Sequence, residues 1–239
     1  MCTGSIFFLG LFFGPAHNSA WYNDVMAAEA MGLRERKKVQ TALRIYRTAV
    51  ELFLEKSFDA VSVQEIADAA EVSKMTVFNY FGTKEDLVFR LIEDHFSDAA
   101  RAVRSRHPGE SAVAAVRRQF LEMIETRDPS IGLHVEPFGR RIRRLVMETP
   151  VLMERAYLTS EKGARELADL LSEETGDPVL ALIAAATLTA ARNALVEDHH
   201  RRLDAGESVE QVTADATERA ERAFALVENG LGDYARKSQ

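Results

Sequence analysis

Apolar positions recur with a helical period along most of the chain. From residue 39 to 56, Leu43, Ile45, Ala49, Leu52 and Phe53 share one face and predict a first helix. Ser57, Phe58, Asp59 and Ala60 break it, and Phe58 is expected to plug the core beneath the next helix. Ser62 is a good N-cap for that second helix, and Glu65, three residues later, completes an S-x-x-E capping box. Val63, Ile66, Ala67 and Ala70 then face inward. Glu71–Val72–Ser73 reads as a tight turn, with Ser73 capping a third helix. There Met75, Val77, Phe78 and Phe81 supply the apolar side, Val77 and Phe81 forming the best core pair at i, i+4. Lys74, Thr76, Asn79 and Tyr80 are left pointing elsewhere. A cation, two small hydrogen-bonding side chains and a tyrosine are an odd set for a merely solvated face. They suit a helix entering the DNA major groove: Lys for guanine or phosphate, Asn for adenine, Thr for a thymine methyl or phosphate.

The remainder also reads as helical. Thr83 caps a fourth helix with Glu85 and Asp86 in its first turn, where the dipole favours acids. That helix is predicted to run to about Arg106, long enough to leave a small head and enter a second domain, and His107–Pro108–Gly109 ends it. Ser111 caps a helix through Thr126, with Val113, Val116, Phe120, Met123 and Ile124 inward. A basic segment follows a loop, with Arg140, Arg141, Arg143 and Arg144 interleaved by Ile142, Leu145, Val146 and Met147. Long helices are predicted over 151–175, 179–203 and 208–228. Leu180, Ala184, Leu188, Ala191 and Leu195 follow a seam spacing, as do Val209, Val212, Ala216, Ala223 and Val227. Either seam serves packing within the chain, or the pair meets its two-fold mates in a four-helix interface. No alternating β-branched run is bounded by turn signals, so no sheet is expected.

Composition narrows this picture. The apolar fraction of 46% supports a sizeable core, and the charged fraction of 28% fits a soluble cytoplasmic protein. A net charge of −7 does not point to nucleic acid, so any DNA contact needs a local basic patch. One exists: Arg34, Arg36, Lys37, Lys38, Arg44 and Arg47 stand against a single acid, Glu35. It is either a solvated face or an arm for phosphate and minor groove. The single cysteine, Cys2, excludes an intramolecular disulfide and a Cys-rich zinc site. Residues 1–30 differ in kind. Their apolar run, Ile6 to Phe13, is too short to span a bilayer, and no Lys or Arg precedes Arg34. An unstructured leader or over-extended start, with Met26 or Met31 as initiator, is expected, a peripheral membrane anchor being the alternative. Enzyme chemistry finds little support. The six histidines form no H-x-x-x-H or H-E-x-x-H, and there is no Gly-rich phosphate loop and no G-x-S-x-G. No cofactor and no metal are expected.

On these residues the chain resembles the tetracycline-repressor (TetR) family of bacterial regulators. The resemblance runs over roughly 34–92, through ELFLEKSFDAVSV, QEIADAAEVS and KMTVFNYFGTKEDL. It implies an all-α fold: a three-helix DNA-binding head over 31–92 after the leader, then a helical effector-binding and dimerisation domain over 93–239. It implies phosphate contacts from Ser62 and Gln64, a recognition helix beginning at Ser73, Lys74, Met75 and Thr76 with Phe78, Asn79 and Tyr80 in its middle, and a phosphate-binding Lys84. Two departures stand out. The family often has glycine where this chain has Glu71, which costs about 1–2 kcal/mol if the turn is left-handed. Asn79 occupies a position often held by Tyr, which suggests an altered operator preference. The resemblance further implies a homodimer paired through the last two helices, a palindromic double-stranded operator, and a small-molecule effector, with the long fourth helix as the lever. By helix position Phe120, Met123, Met147, Met153, Tyr157, Leu188 and Asn193 are candidate effector-pocket residues, plain core being the competing reading. Arg143 or Arg144 could meet an anionic ligand, a solvated or DNA-proximal face being the alternative.

Overall fold

The computed structural model describes residues 33–90, 92–133 and 138–230; the expected leader lies outside them. Among the described residues the fold is all-α, with no strand. The helices are α1 (Leu33–Lys56), α2 (Val63–Ala69), α3 (Lys74–Phe81), α4 (Asp86–Phe89), α5 (Asp98–Arg104), α6 (Ala112–Glu125), α7 (Phe138–Glu148), α8 (Pro150–Thr175), α9 (Pro178–Asp204) and α10 (Val209–Asn229). α1 starts six residues before the predicted position, because the strong helix formers of LRERKK extend it.

The chain divides into two compact units that interleave in sequence. One takes the described part of Met1–His95 together with Glu136–Thr159; the other takes Phe96–Val135 and the described part of Ser160–Gln239. The segment 136–159 thus clusters with the head, although the expected second domain begins at 93. The reason is the α7 pattern: Ile142, Leu145 and Val146 are buried on one side while Arg141 and Arg144 are exposed, and the helix packs on α1. Around it the first core gathers Ile45, Phe53, Ile66, Val77, Leu87 and Phe89, all fully or almost fully buried.

In the second unit α6, α9 and α10 surround Phe120 and Phe224, whose rings meet edge-on at 6.0 Å. α6, α9 and α10 each have a sequence-local cap: Ser111 accepts from the Ala114 N–H, Asp177 from Val179 and Leu180, and Ser208 forms a complete capping box with Gln211. The inward line of α9 is Ala181, Ala185, Leu188 and Leu195, not the expected seam: Leu180 and Ala184 face out. On α10 Val209, Val212 and Ala216 are buried as expected, but the line continues through Ala220 and Phe224.

The predicted fourth helix is not continuous. α4 ends at Phe89, a 3-10 turn occupies Glu93–Ser97, and α5 begins at Asp98. Close packing explains the interruption at its far end. The Phe96 carbonyl lies flat on Gly163 of α8, where a Cβ would stand 2.1 Å from that oxygen. Asp98, buried at the start of α5, is also drawn inward by Arg192 of α9 at 2.5 Å and by Arg101.

Candidate nucleic-acid interface

The head is assembled from short-range hydrogen bonds that the sequence dictates. The Ser62 hydroxyl accepts from the Glu65 N–H at 3.1 Å. The Glu65 carboxylate pairs with Lys56 at the end of α1, and that hydrogen bond is the main reason its pKa lies below the ordinary value. α2 ends in a Schellman motif. The Val72 N–H reaches the Ala67 carbonyl at 2.9 Å and the Glu71 N–H that of Asp68 at 3.2 Å. Glu71 itself has φ 52, so the left-handed position exists and a residue with a Cβ occupies it.

Ser73 then caps α3, accepting from the Thr76 N–H at 3.0 Å and lying 2.8 Å from the Thr76 hydroxyl. Only Val77 and Phe81 anchor the helix in the core. Burying two such side chains contributes about 1.5–3 kcal/mol each. Met75 and Phe78 were expected on the apolar side; they are exposed at 68% and 38%, because i, i+4 burial of Val77 and Phe81 leaves room for no others. The outward face is therefore Lys74, Met75, Phe78 and Asn79, with the Lys74 ammonium 6.0 Å from the Phe78 ring centre. Thr76 and Tyr80 sit at its edges, half-buried. A cation, an amide, an aromatic ring and a thioether chain on one short helix can meet phosphates, base edges and thymine methyls.

Of the expected phosphate contacts, Ser62 and Gln64 are exposed, Gln64 donating to Asp68 at 2.8 Å. Lys84 is differently placed. Its ammonium donates to the Phe58 carbonyl and lies 4.2 Å from the Phe58 ring centre and 5.7 Å from that of Phe53. Burial lowers its pKa, against the opposing pull of Asp59 and Glu85. It staples the α1–α2 loop, with further N–H donors left over. On α1, Arg34, Lys37, Lys38 and Arg44 are exposed.

The pattern described as "Bacterial regulatory proteins, tetR family" matches residues 45–91. The HTH-type regulator TcmR of Streptomyces glaucescens is 30% identical over 146 residues, 61% of this chain and 65% of that protein. The likeness to the tetR family is thus carried by residues 45–91. The HTH-type transcriptional repressor DhaR of Mycobacterium sp. (strain GP1) is 36% identical over 81 residues, 33% of this chain and 40% of that one. The matches thus span less than two thirds of these relatives' lengths. Among solved structures, NalD, the secondary repressor of the MexAB-OprM multidrug efflux pump in Pseudomonas aeruginosa, shares the fold at TM-score 0.54 and 21% identity, over 78% of this chain and 96% of that one.

The seven candidate pocket residues do not converge. Met147, Met153 and Tyr157 are exposed side chains of the first unit; Phe120, Met123, Leu188 and Asn193 belong to the second. Phe120, Met123 and Leu188 are core, and Asn193 is exposed, so its amide needs no buried partner. Only Leu188 lines the large groove of the second unit, about 1380 Å3, between the end of α8, α9 and α10, with Leu180, Ile183, Ala191, Leu226 and Val227. Sequence reasoning missed the buried polar groups. His199 is fully buried, its Nδ1 2.9 Å from the Ile131 carbonyl, and its ring stacks on Phe120 at 6.1 Å. Gly132, at φ 83, lies so close to His200 that a Cβ would sit 2.8 Å from its ring. Arg202 is bound by Glu207 through Nε and Nη2 and by Asp215 at 2.6 Å, which together raise its pKa. The signal available was the adjacency of two histidines and an arginine late in an alanine-rich helix.

Proposed function

We propose that the chain is a homodimeric repressor that reads a palindromic DNA operator with α3 and is released by a small molecule bound in its second unit. The carrying observation is the outward face of α3: Lys74, Met75, Phe78 and Asn79 are exposed together on a helix fixed by its Ser73 cap and by buried Val77 and Phe81. The exposed basic residues of α1 supply the local positive charge that a net −7 chain needs for phosphate. Ser62, Gln64 and Lys84 flank the face as phosphate contacts, Thr76 and Tyr80 as its edges. Names of relatives support the repressor sign: DhaR is a repressor, and so is NalD.

Dimerisation is supported by α9 and α10. Val179, Leu180, Leu182, Ile183 and Leu226 are exposed, and the groove they border is lined largely by apolar side chains. α9 is long and apolar enough to cross a membrane by composition alone, yet its inward line packs into the bundle core. A second copy covering its other face accounts for an apolar surface on both sides. Two-fold pairing sets two half-sites one helical turn apart or a multiple of that. For the effector site, Leu188 is the candidate that lines the groove of the second unit, Phe120 and Met123 serving its core.

Selection of duplexes from a random pool by the full-length protein tests this. An inverted repeat is the expected product, and Lys74→Ala or Asn79→Ala should weaken its binding by roughly 10- to 100-fold per good contact. Ile183→Glu should convert the particle from dimer to monomer in analytical ultracentrifugation. No enriched sequence, or a wild-type monomer, would overturn the corresponding part.

A further inference from the structure

The turn that ends the recognition helix is braced from a distant part of the chain. Gly82 closes α3 at φ 73, its N–H bonded to the Phe78 carbonyl at 2.8 Å. Thr83 and Asp86 then hold each other: the Thr83 N–H donates to Asp86 Oδ2 at 2.8 Å, and the Asp86 N–H donates to Thr83 Oγ1 at 3.2 Å. The other carboxylate oxygen, Oδ1, accepts from Nη2 of Arg155, which lies 69 residues further along, on α8. Arg155 Nη1 is 3.5 Å from Thr83 Oγ1, its guanidinium carbon lies 5.0 Å from the Phe89 ring centre, and Glu93 approaches at 3.8 Å. Burial alone would raise the Asp86 pKa, but hydrogen bonds from Arg155 and Thr83 outweigh it and hold the carboxyl below its ordinary value.

We propose that Arg155 is a positioning residue for DNA reading: it fixes the Gly82–Thr83–Asp86 turn, and through it the C-terminal end of α3, without touching nucleic acid. This rests on α3 reading DNA as proposed above. The guanidinium is suited to the task because one planar group can bond a carboxylate and a hydroxyl at its edge while lying over an aromatic ring. A lysine ammonium can reach the carboxylate but cannot span all three. A recognition surface needs its side chains held to about half an ångström, so a loosened end turn is felt in binding before it is felt in folding.

Duplexes enriched by the wild-type protein from a random pool are the probe, and binding is followed by fluorescence anisotropy over a salt series. Arg155→Ala, Arg155→Lys and Leu152→Ala are compared at a temperature where circular dichroism shows each folded. Leu152, fully buried on the same helix in the same unit, controls for general destabilisation. Arg155→Ala should bind about tenfold more weakly and Arg155→Lys should fall between it and wild type. Leu152→Ala should bind as wild type while melting earlier. The salt slope should be unchanged in Arg155→Ala, because a residue that contacts phosphate would lower it by about one. Wild-type affinity in Arg155→Ala, an equal loss in Leu152→Ala, or a reduced salt slope would each overturn the positioning role. Failure to enrich any duplex would instead overturn the DNA reading itself, and this role with it.

Discussion

α3 and α9 both carry apolar side chains into solvent, but in different company. On α3, Met75 and Phe78 are exposed beside Lys74 and Asn79, so cation, amide and apolar groups alternate over one small face. On α9, Val179, Leu180, Leu182 and Ile183 are exposed, and no charged residue occurs from Val179 to Ala191. The first surface suits a partner that offers hydrogen-bonding edges, methyl groups and phosphates. The second suits a partner as apolar as a protein core. Hydrophobic period therefore reports what a surface will touch, not only which side of a helix faces its own chain. The opposite sides contrast as well: α3 buries only Val77 and Phe81, whereas α9 buries His199, His200 and Arg202 besides its apolar line.

The sharpest way to break this comparison is at the buried side of α9. Asp98→Ala removes the carboxylate that binds Arg192 and Arg101 and leaves the largely buried Arg192 guanidinium without it. The expected cost is about 3–5 kcal/mol, read by denaturant unfolding of the whole chain. A loss below about 1 kcal/mol would show that the second unit does not depend on this pair.

An effect of intermediate size should appear on acidification. Burial lowers the pKa of His199, the largest cause, although the Ile131 carbonyl and Asp198 oppose it. The unfolded chain therefore binds this proton more readily than the folded one. The His199 contribution is fully present above the unfolded value, about 6.5, and is lost as pH falls below it toward the folded value. Stability should drop by at most about 1.4 kcal/mol per pH unit from this group, and His199→Gln should flatten the curve between pH 7 and 5. An unchanged slope in the variant would assign the pH dependence elsewhere.

The smallest effect belongs to the head. Glu71→Gly relieves the left-handed strain at φ 52 and should stabilise the chain by about 1 kcal/mol, offset in part by the greater freedom of glycine in the unfolded state. For a chain of this size that is roughly 2–4 °C in Tm. An equal or lower Tm would mean that contacts of the Glu71 side chain outweigh the backbone gain.

Much of the head is legible in the sequence because its determinants are local. Ser62, Ser73 and Thr83 each accept a backbone N–H three residues later, and the strain at Glu71 follows from where α2 must stop. Met75 and Phe78, expected both on the apolar side of α3 and among its DNA contacts, are exposed because an eight-residue helix anchored at two points needs no more apolar cover. Lys84 reads as a phosphate-binding lysine, yet its ammonium also bonds the Phe58 carbonyl 26 residues away, a contact no spacing rule reaches. The same limit hides the close approach of the Phe96 carbonyl to Gly163 and the Asp98–Arg192 pair, 94 residues apart. Periodicity places α9 and α10, but contacts across the core, such as Phe120 on α6 with Phe224 on α10, join different helices, which a single helix cannot report.

The interleaving of the two units bears on how the chain could be recombined. The boundary is crossed near 95, again near 135 and again near 159. A graft that splices a head onto another protein after residue 92 would carry α1–α4 away without α7 and the first turns of α8. It would leave behind Ile142, Leu145, Val146 and Leu152, and the Arg155 partner of Asp86 with them. A portable head from this chain is two stretches, through residue 95 and 136–159, joined by a new linker, and hybrids built with a single junction should inherit the sequence of the head without its cohesion.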